Sequence, residues 1–145
     1  MISEYKKNDI SKILPVINDA SLKYKGVIPD NCWHEPYMSE QELIDEFNNQ
    51  VRMFGYNHNN KLTGVIGIQT VKDVILIRHA YTLTSCQGKG TGSALLEYLL
   101  KKIRIVVYWW ALGEKLLGQL DFMKNLVLFF MQKNNPLYYL KNIGK

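Results

Sequence analysis

Apolar residues in the first third of the chain recur at helical spacing, and from Val51 onward they recur at strand spacing. Ile2 to Tyr5 suits a short first strand. Asn8 or Asp9 can cap a helix running from about Ile10 to Tyr24. Ile10, Ile13, Leu14, Ile17 and Leu22 fall close to one stripe of that helix, and Pro15 predicts a kink or a late start. Gly26, Pro29 and Pro36 break the pattern. Ser39-Glu40-Gln41-Glu42 is a capping box that opens a second helix to about Asn49, with Leu43, Ile44 and Phe47 inward. Val51 to Tyr56, Leu62 to Thr70 and Val74 to Leu83 read as three strands. The polar turns Asn57-His58-Asn59-Asn60 and Lys72-Asp73 join them into an antiparallel meander. Ala94 to Lys102 is helical again.

Between the longest strand and that last helix stands Cys86-Gln87-Gly88-Lys89-Gly90-Thr91-Gly92-Ser93. A strand, a glycine-rich turn and a helix N-terminus in this order form an anion site. The first-turn amides lack intrahelical acceptors, and the helix dipole places partial positive charge there. Gly88, Gly90 and Gly92 would let main chain approach a phosphate closely. The spacing is neither a Walker A loop nor a dinucleotide fingerprint. A plain glycine-rich connection to a core helix is the alternative.

Gln87-x-x-Gly90-x-Gly92, followed by Ala-Leu-Leu-x-x-Leu-Leu, resembles the pyrophosphate-binding motif of the GNAT superfamily of N-acetyltransferases. The order β-α-α-β-β-β-α over residues 2–102 is similar to the first part of that fold. Gly64-Val65-Ile66-Gly67 and Ile77-Arg78-His79-Ala80-Tyr81 resemble an uncharacterised bacterial and archaeal branch. The resemblance implies an α/β (α+β) domain, a mixed, mostly antiparallel sheet flanked by helices, continuing to β-α-β and filling residues 1–145. It implies acetyl transfer from acetyl-CoA to a primary amine without an acyl-enzyme. It implies that main-chain groups of Ala80, Tyr81 and Thr82 hold the pantetheine and the thioester carbonyl. The amides of Gln87, Gly88, Lys89, Gly90, Thr91, Gly92 and Ser93 would hold the pyrophosphate.

An amine must lose a proton to attack, so a base or a water relay is required. His79 is the nearest candidate in sequence. Strand alternation puts it on one face with Ile75, Ile77 and Tyr81, and sends Arg78 to the other face toward a helix carboxylate. A hydrogen-bonded sheet histidine is the alternative. The family's acceptor pocket corresponds to Trp33-His34-Glu35-Pro36-Tyr37-Met38, where Glu35 is the carboxylate able to hold an amine or assist its deprotonation. Trp33 and Tyr37 serve equally well as core cover, and His34 and His58 as solvated loop residues.

Composition narrows the setting. The chain has 145 residues, a net charge of +5 and two cysteines, Cys32 and Cys86. Two cysteines do not make a disulfide framework and have no metal-ligand spacing with the histidines, so no metal is expected. The N-terminus is polar and charged, and no apolar run approaches the ~18 residues of a membrane span. A cytoplasmic protein without membrane association is therefore the expectation. Residues 103–145 carry six Lys/Arg against two acids, scattered rather than clustered, so nucleic acid is not the expected partner. A homodimer is compatible with the chain but not written in it.

The resemblance stops near Lys102. The family continues with a fifth strand and a helix bearing a tyrosine that can protonate the leaving thiolate; residues 103–145 lack both patterns. The implied codons read one base out of register restore them. Tyr108-Trp109-Trp110-Ala111 then gives Leu-Val-Gly without freedom of choice. Leu117 to Leu128 permits Trp-Ala-Ile-Gly-Phe-Tyr-Glu-Lys-Phe-Gly-Phe, and Leu137 to Lys145 permits Leu-Leu-x-Lys-Lys-Tyr-Trp-Lys. A reading-frame change after Lys102 is the expectation, a divergent C-terminus the alternative; stop codons in the alternate frame of the gene would exclude the former. The segment as it stands predicts a strand from Ile103 to Trp110, a helix from Glu114 to Asn125 and a strand from Leu126 to Met131. Loss of the tyrosine admits a second function, a coenzyme A-binding or interaction protein without turnover.

Overall fold

A computed structural model describes residues 1–71 and 74–102. The turn at Lys72-Asp73 and the three elements expected after Lys102 lie outside the described residues. The elements run β1 (Ile2–Tyr5), α1 (Ile10–Ser21), α2 (Glu40–Asn48), β2 (Arg52–His58), β3 (Lys61–Val71), β4 (Val74–Thr82) and α3 (Thr91–Lys102). This is the mixed α and β architecture expected, with a sheet ordered β1-β2-β3-β4 and antiparallel at every described pairing.

Local chemistry accounts for the boundaries. Ser39 Oγ accepts from the Glu42 amide at 3.2 Å, and the Glu42 carboxylate accepts from the Ser39 amide at 2.7 Å, so the capping box starts α2 where expected. Asn59 and Asn60 take positive φ of 49° and 60°, which makes a tight two-residue hairpin and lengthens both strands beyond the four-residue turn expected. Helix α1 runs through Pro15, which lies on its exposed side. After Ser21 the chain tightens into a 3-10 turn, Leu22–Tyr24. The change of pitch shifts the phase of the stripe. Leu22, expected inward, is therefore exposed, and Tyr24 is buried instead.

The sheet has two covered faces. Under α1 and α2 lie Tyr5, Ile13, Val16, Ile17, Leu43, Val51, Met53, Leu62 and Val65. On the other face Phe54 packs against Tyr98 of α3, and Leu95, Leu96 and Leu99 are buried. Strand β3 presses closely on α3: a Cβ added at Gly64 would lie 2.6 Å from Thr91 Cγ2. The start of α3 is thus seated on the sheet through a glycine.

Strand β4 breaks alternation at one place. Ile66 stands opposite Ala80 and Ile68 opposite Ile77, so Arg78 and His79 together face Gly67 alone. This β-bulge turns both side chains to the α1/α2 side. Two expectations are corrected by it. His79 shares its face with Tyr81 but not with Ile75 and Ile77, which stand opposite Thr70 and Ile68 on the α3 side. Arg78 does reach a helix carboxylate, as expected, yet from the same face as His79.

Candidate active site

The glycine-rich connection is built as an open cradle. After β4 a 3-10 turn, Thr84–Cys86, is tied to α1 through Asp19, whose carboxylate accepts from the Thr84 amide at 2.7 Å. Gln87 is extended and its side chain donates to the Thr82 carbonyl at 3.2 Å. Gly88 and Gly90 take φ of +73° and +83°, where a side chain would strain the backbone; a Cβ at either would meet nothing within 4 Å. Lys89 Nζ folds back onto the Ser85 carbonyl at 2.9 Å.

Helix α3 begins at Thr91, three residues before the Ala94 start expected, so Gly92 and Ser93 belong to its first turn. The Cys86 and Gln87 amides donate within the preceding turn. From Gly88 to Ser93 the amides meet no acceptor among the described residues, and the first helical bond is Ala94 to Gly90 at 2.9 Å. A run of main-chain donors at a helix N-terminus, in open space beside a strand end, fits a diphosphate.

A second group of side chains lies on the α1/α2 side of β4. His79 Nε2 and Glu46 Oε2 of α2 are 2.9 Å apart, and Arg78 Nη2 approaches the other oxygen, Oε1, at 3.5 Å. The bonded His79 ring, with Arg78 beside it, holds the Glu46 carboxyl below the usual carboxylate range against the opposing effect of burial. The His79 ring stacks on Tyr81, centroids 6.3 Å apart. Tyr81 in turn meets Tyr37 edge-on at 6.4 Å, and Tyr37 packs against Trp33 at 5.5 Å. The rings thus form a continuous wall from the α1–α2 connection to His79. Burial, with Tyr37 alongside, pushes the Tyr81 phenol far above its ordinary range and the Tyr24 phenol up to about 12. Both stay neutral at any physiological pH.

Glu35 lies on the exposed connection, where Lys25 Nζ sits 3.4 Å from its carboxylate. His34 stacks on Tyr37 and stands 3.8 Å from Glu42. His79 is thus paired with Glu46, a residue sequence reasoning passed over, and the expected loop carboxylate is paired with a lysine. Asp19 was likewise missed. Among the described residues no three His, Cys, Asp or Glu side chains gather as a metal site, and no helix is long and apolar enough to cross a membrane.

The model of the family described as "Acetyltransferase (GNAT) domain" matches residues 5–106. The chain belongs to the GNAT acetyltransferase family. No curated protein matches it significantly. Solved structures share its fold. The PaiA N-acetyltransferase of Thermoplasma acidophilum, in complex with coenzyme A, is 20% identical, with TM-score 0.64 over 86% of this chain and 87% of that one. An N-acetyltransferase of Staphylococcus aureus Mu50 is 22% identical, with TM-score 0.60 over 90% and 81%. A GNAT family acetyltransferase of Brucella melitensis, in complex with acetyl-CoA, is 15% identical, with TM-score 0.56 over 72% and 68%. Acetyl transfer is the general chemistry of a GNAT domain, and the match covers both the amide cradle and the bulged strand.

Proposed function

We propose that this GNAT protein transfers an acetyl group from acetyl-CoA to a primary amine by direct attack. The observation that carries the reading is the run of amides from Gly88 to Ser93, open at a helix N-terminus and facing no acceptor among the described residues. Acetyl-CoA supplies the activated acyl group as a thioester. The Gly88–Ser93 stretch grips its diphosphate through main-chain N–H groups, while the Gln87 amide, expected among them, is bonded to the Thr84 carbonyl. Main chain at Ala80, Tyr81 and Thr82 lies along the pantetheine and polarises the thioester carbonyl. His79 accepts the proton that the ammonium must lose. The neutral amine nitrogen then bonds the carbonyl carbon and sheds its second proton to solvent, the C–S bond breaks, and coenzyme A departs as thiolate and takes a proton from solvent. The ring wall of Trp33, Tyr37 and Tyr81 borders the acceptor, and Glu35 lies at its rim.

The test is thiol release from acetyl-CoA across a panel of amines, with calorimetry of coenzyme A binding beside it. Amine-dependent release is expected, and His79→Ala should lower kcat by roughly 100-fold, the smaller end of what a general base contributes. Binding of coenzyme A should be unchanged in that variant. Absence of coenzyme A binding at millimolar concentration overturns the reading. One observation favours a second reading: the family match ends at residue 106, before a thiolate-protonating tyrosine would appear. Tight coenzyme A binding with no release toward any amine would select that reading, a binder without turnover.

A further inference from the structure

We infer that Glu46 is a positioning residue for His79, fixing which ring nitrogen is free to take the proton of the acceptor amine. The inference rests on the acetyl-transfer reading above, which names His79 as base; Glu46 itself comes from the geometry alone. It lies on α2, 33 positions from His79 in sequence, and meets it at 2.9 Å because the β4 bulge turns the ring toward that helix.

An ionised carboxylate only accepts hydrogen bonds, so the nitrogen facing it must carry the hydrogen. That nitrogen is Nε2. The proton-accepting lone pair is then on Nδ1, at the opposite side of the ring. The bonded His79 ring, and after it Arg78, favours the ionised form of Glu46; Arg78 takes its second oxygen, so the carboxylate cannot rotate away without losing both partners. The ring is also held in depth. Tyr81 stacks on one side of it, and a Cβ at Gly67 would come within 3.2 Å of His79 Cδ2, a tight contact that the glycine avoids. The His79 and Glu46 side chains are 11% and 21% exposed, sheltered enough for the pairing to have weight yet open enough for a proton to enter and leave.

The charge of Glu46 has a second effect. A carboxylate beside an imidazole stabilises the imidazolium that forms when the proton is taken. Among the described residues, Glu46 from α2 and Tyr81 from β4 meet the ring, Arg78 shares the Glu46 carboxylate, and uncharged Gly67 of β3 lies opposite. Glu46 is the anion among them. Its replacement by glutamine keeps shape and hydrogen-bonding capacity but removes the charge.

The experiment compares the full chain with Glu46→Gln and Glu46→Ala, using Asp45→Ala on the exposed side of α2 as control. The ring tautomer of His79 is read from its nitrogen NMR shifts, and turnover is followed by thiol release. In the wild type the His79 ring hydrogen should sit on Nε2, facing Glu46, and the Nδ1–H form should gain population in Glu46→Ala but not in Asp45→Ala. The kcat should fall about 10-fold in Glu46→Gln and further in Glu46→Ala, with KM for acetyl-CoA unchanged. Asp45→Ala should match the wild type. An unchanged His79 tautomer in Glu46→Ala, or unchanged kcat beside normal wild-type turnover, overturns the role of Glu46 alone. A wild type that binds coenzyme A yet acetylates no amine overturns the acetyl-transfer reading and the positioning role with it. The ring nitrogen shifts would still report the hydrogen bond to Glu46, so the two failures are told apart.

Discussion

Gly64→Ala tests how the fold holds the amide cradle. An alanine Cβ there would lie 2.6 Å from Thr91 Cγ2 and 3.3 Å from Leu95 Cδ1, whereas ordinary carbon contacts begin at 3.4 Å. Thr91 is buried and β-branched at the first position of α3, so it has little freedom to rotate away. The first turn of the helix must lift by roughly 0.8 Å, and overpacking of this kind costs about 1–3 kcal/mol. That turn carries the open amides. Hydrogen bonds to a charged acceptor contribute about 1.5–3 kcal/mol each, and losing part of one or two amounts to about 1.4 kcal/mol, a tenfold weaker coenzyme A complex. Gly55→Ala is the control. Its Cβ would be as crowded, 2.5 Å from Leu62 Cδ1 and 2.6 Å from Tyr5 Cε2, but on the α1/α2 side and away from α3. Both variants should lose stability to denaturant, while calorimetry with coenzyme A should find about a tenfold loss only in Gly64→Ala. Equal affinities in the two variants would refute the claim that the seat of α3 on β3 sets the cradle.

Two further outcomes follow from local contacts. Ser39→Ala removes the cap of α2 and should destabilise the fold by about 1 kcal/mol in urea; because α2 also carries Glu46, kcat should fall more than the coenzyme A dissociation constant rises. The Glu4 carboxyl is lowered to about 2, chiefly by its hydrogen bonds with Arg52 at 3.0 and 3.1 Å. A carboxyl depressed on folding adds stability above its unfolded value near 4.5, and that stability is lost as pH falls toward 2. Arg52 is about half exposed, so solvent reduces the effect to about 1 kcal/mol or less. Urea midpoints of Glu4→Gln and wild type should therefore differ at pH 7 and converge by pH 2.

The chain's own pattern was sufficient for the frame of the molecule. The three strands β2, β3 and β4 and the capping box at Ser39 depend on neighbours in sequence, and they appear close to the expected places. The amide cradle was legible for the same reason. Its determinants are three glycines and a helix start within a few residues, and the proposed contacts are made by main chain, whatever the side chains are. Leu22 was misplaced because the stripe was extended at a constant helical pitch through a 3-10 turn. Asp19 and Glu46 were invisible because each acts on a residue far along the chain, Thr84 and His79, and nothing in the local pattern around either marks it.

The failed alternation at β4 is the more instructive case, because it falls at the residues proposed for chemistry. A regular strand would have set His79 and Arg78 on opposite faces, and a single carboxylate on α2 could not have reached both. The bulge puts both on the α1/α2 side while leaving Ala80, Tyr81 and Thr82 in register with β3. One extra residue therefore separates two tasks along one strand. The segment after the bulge keeps regular main chain, available for the proposed contact with acetyl-CoA, and the bulged pair gives up regularity to gather charge beside it. Gly67 is the counterpart of that arrangement, since the partner residue of a bulged pair must leave room for two side chains and any Cβ there would meet His79 and Met53. A local rule was broken at the point where consistency with the pleat would have dispersed the site.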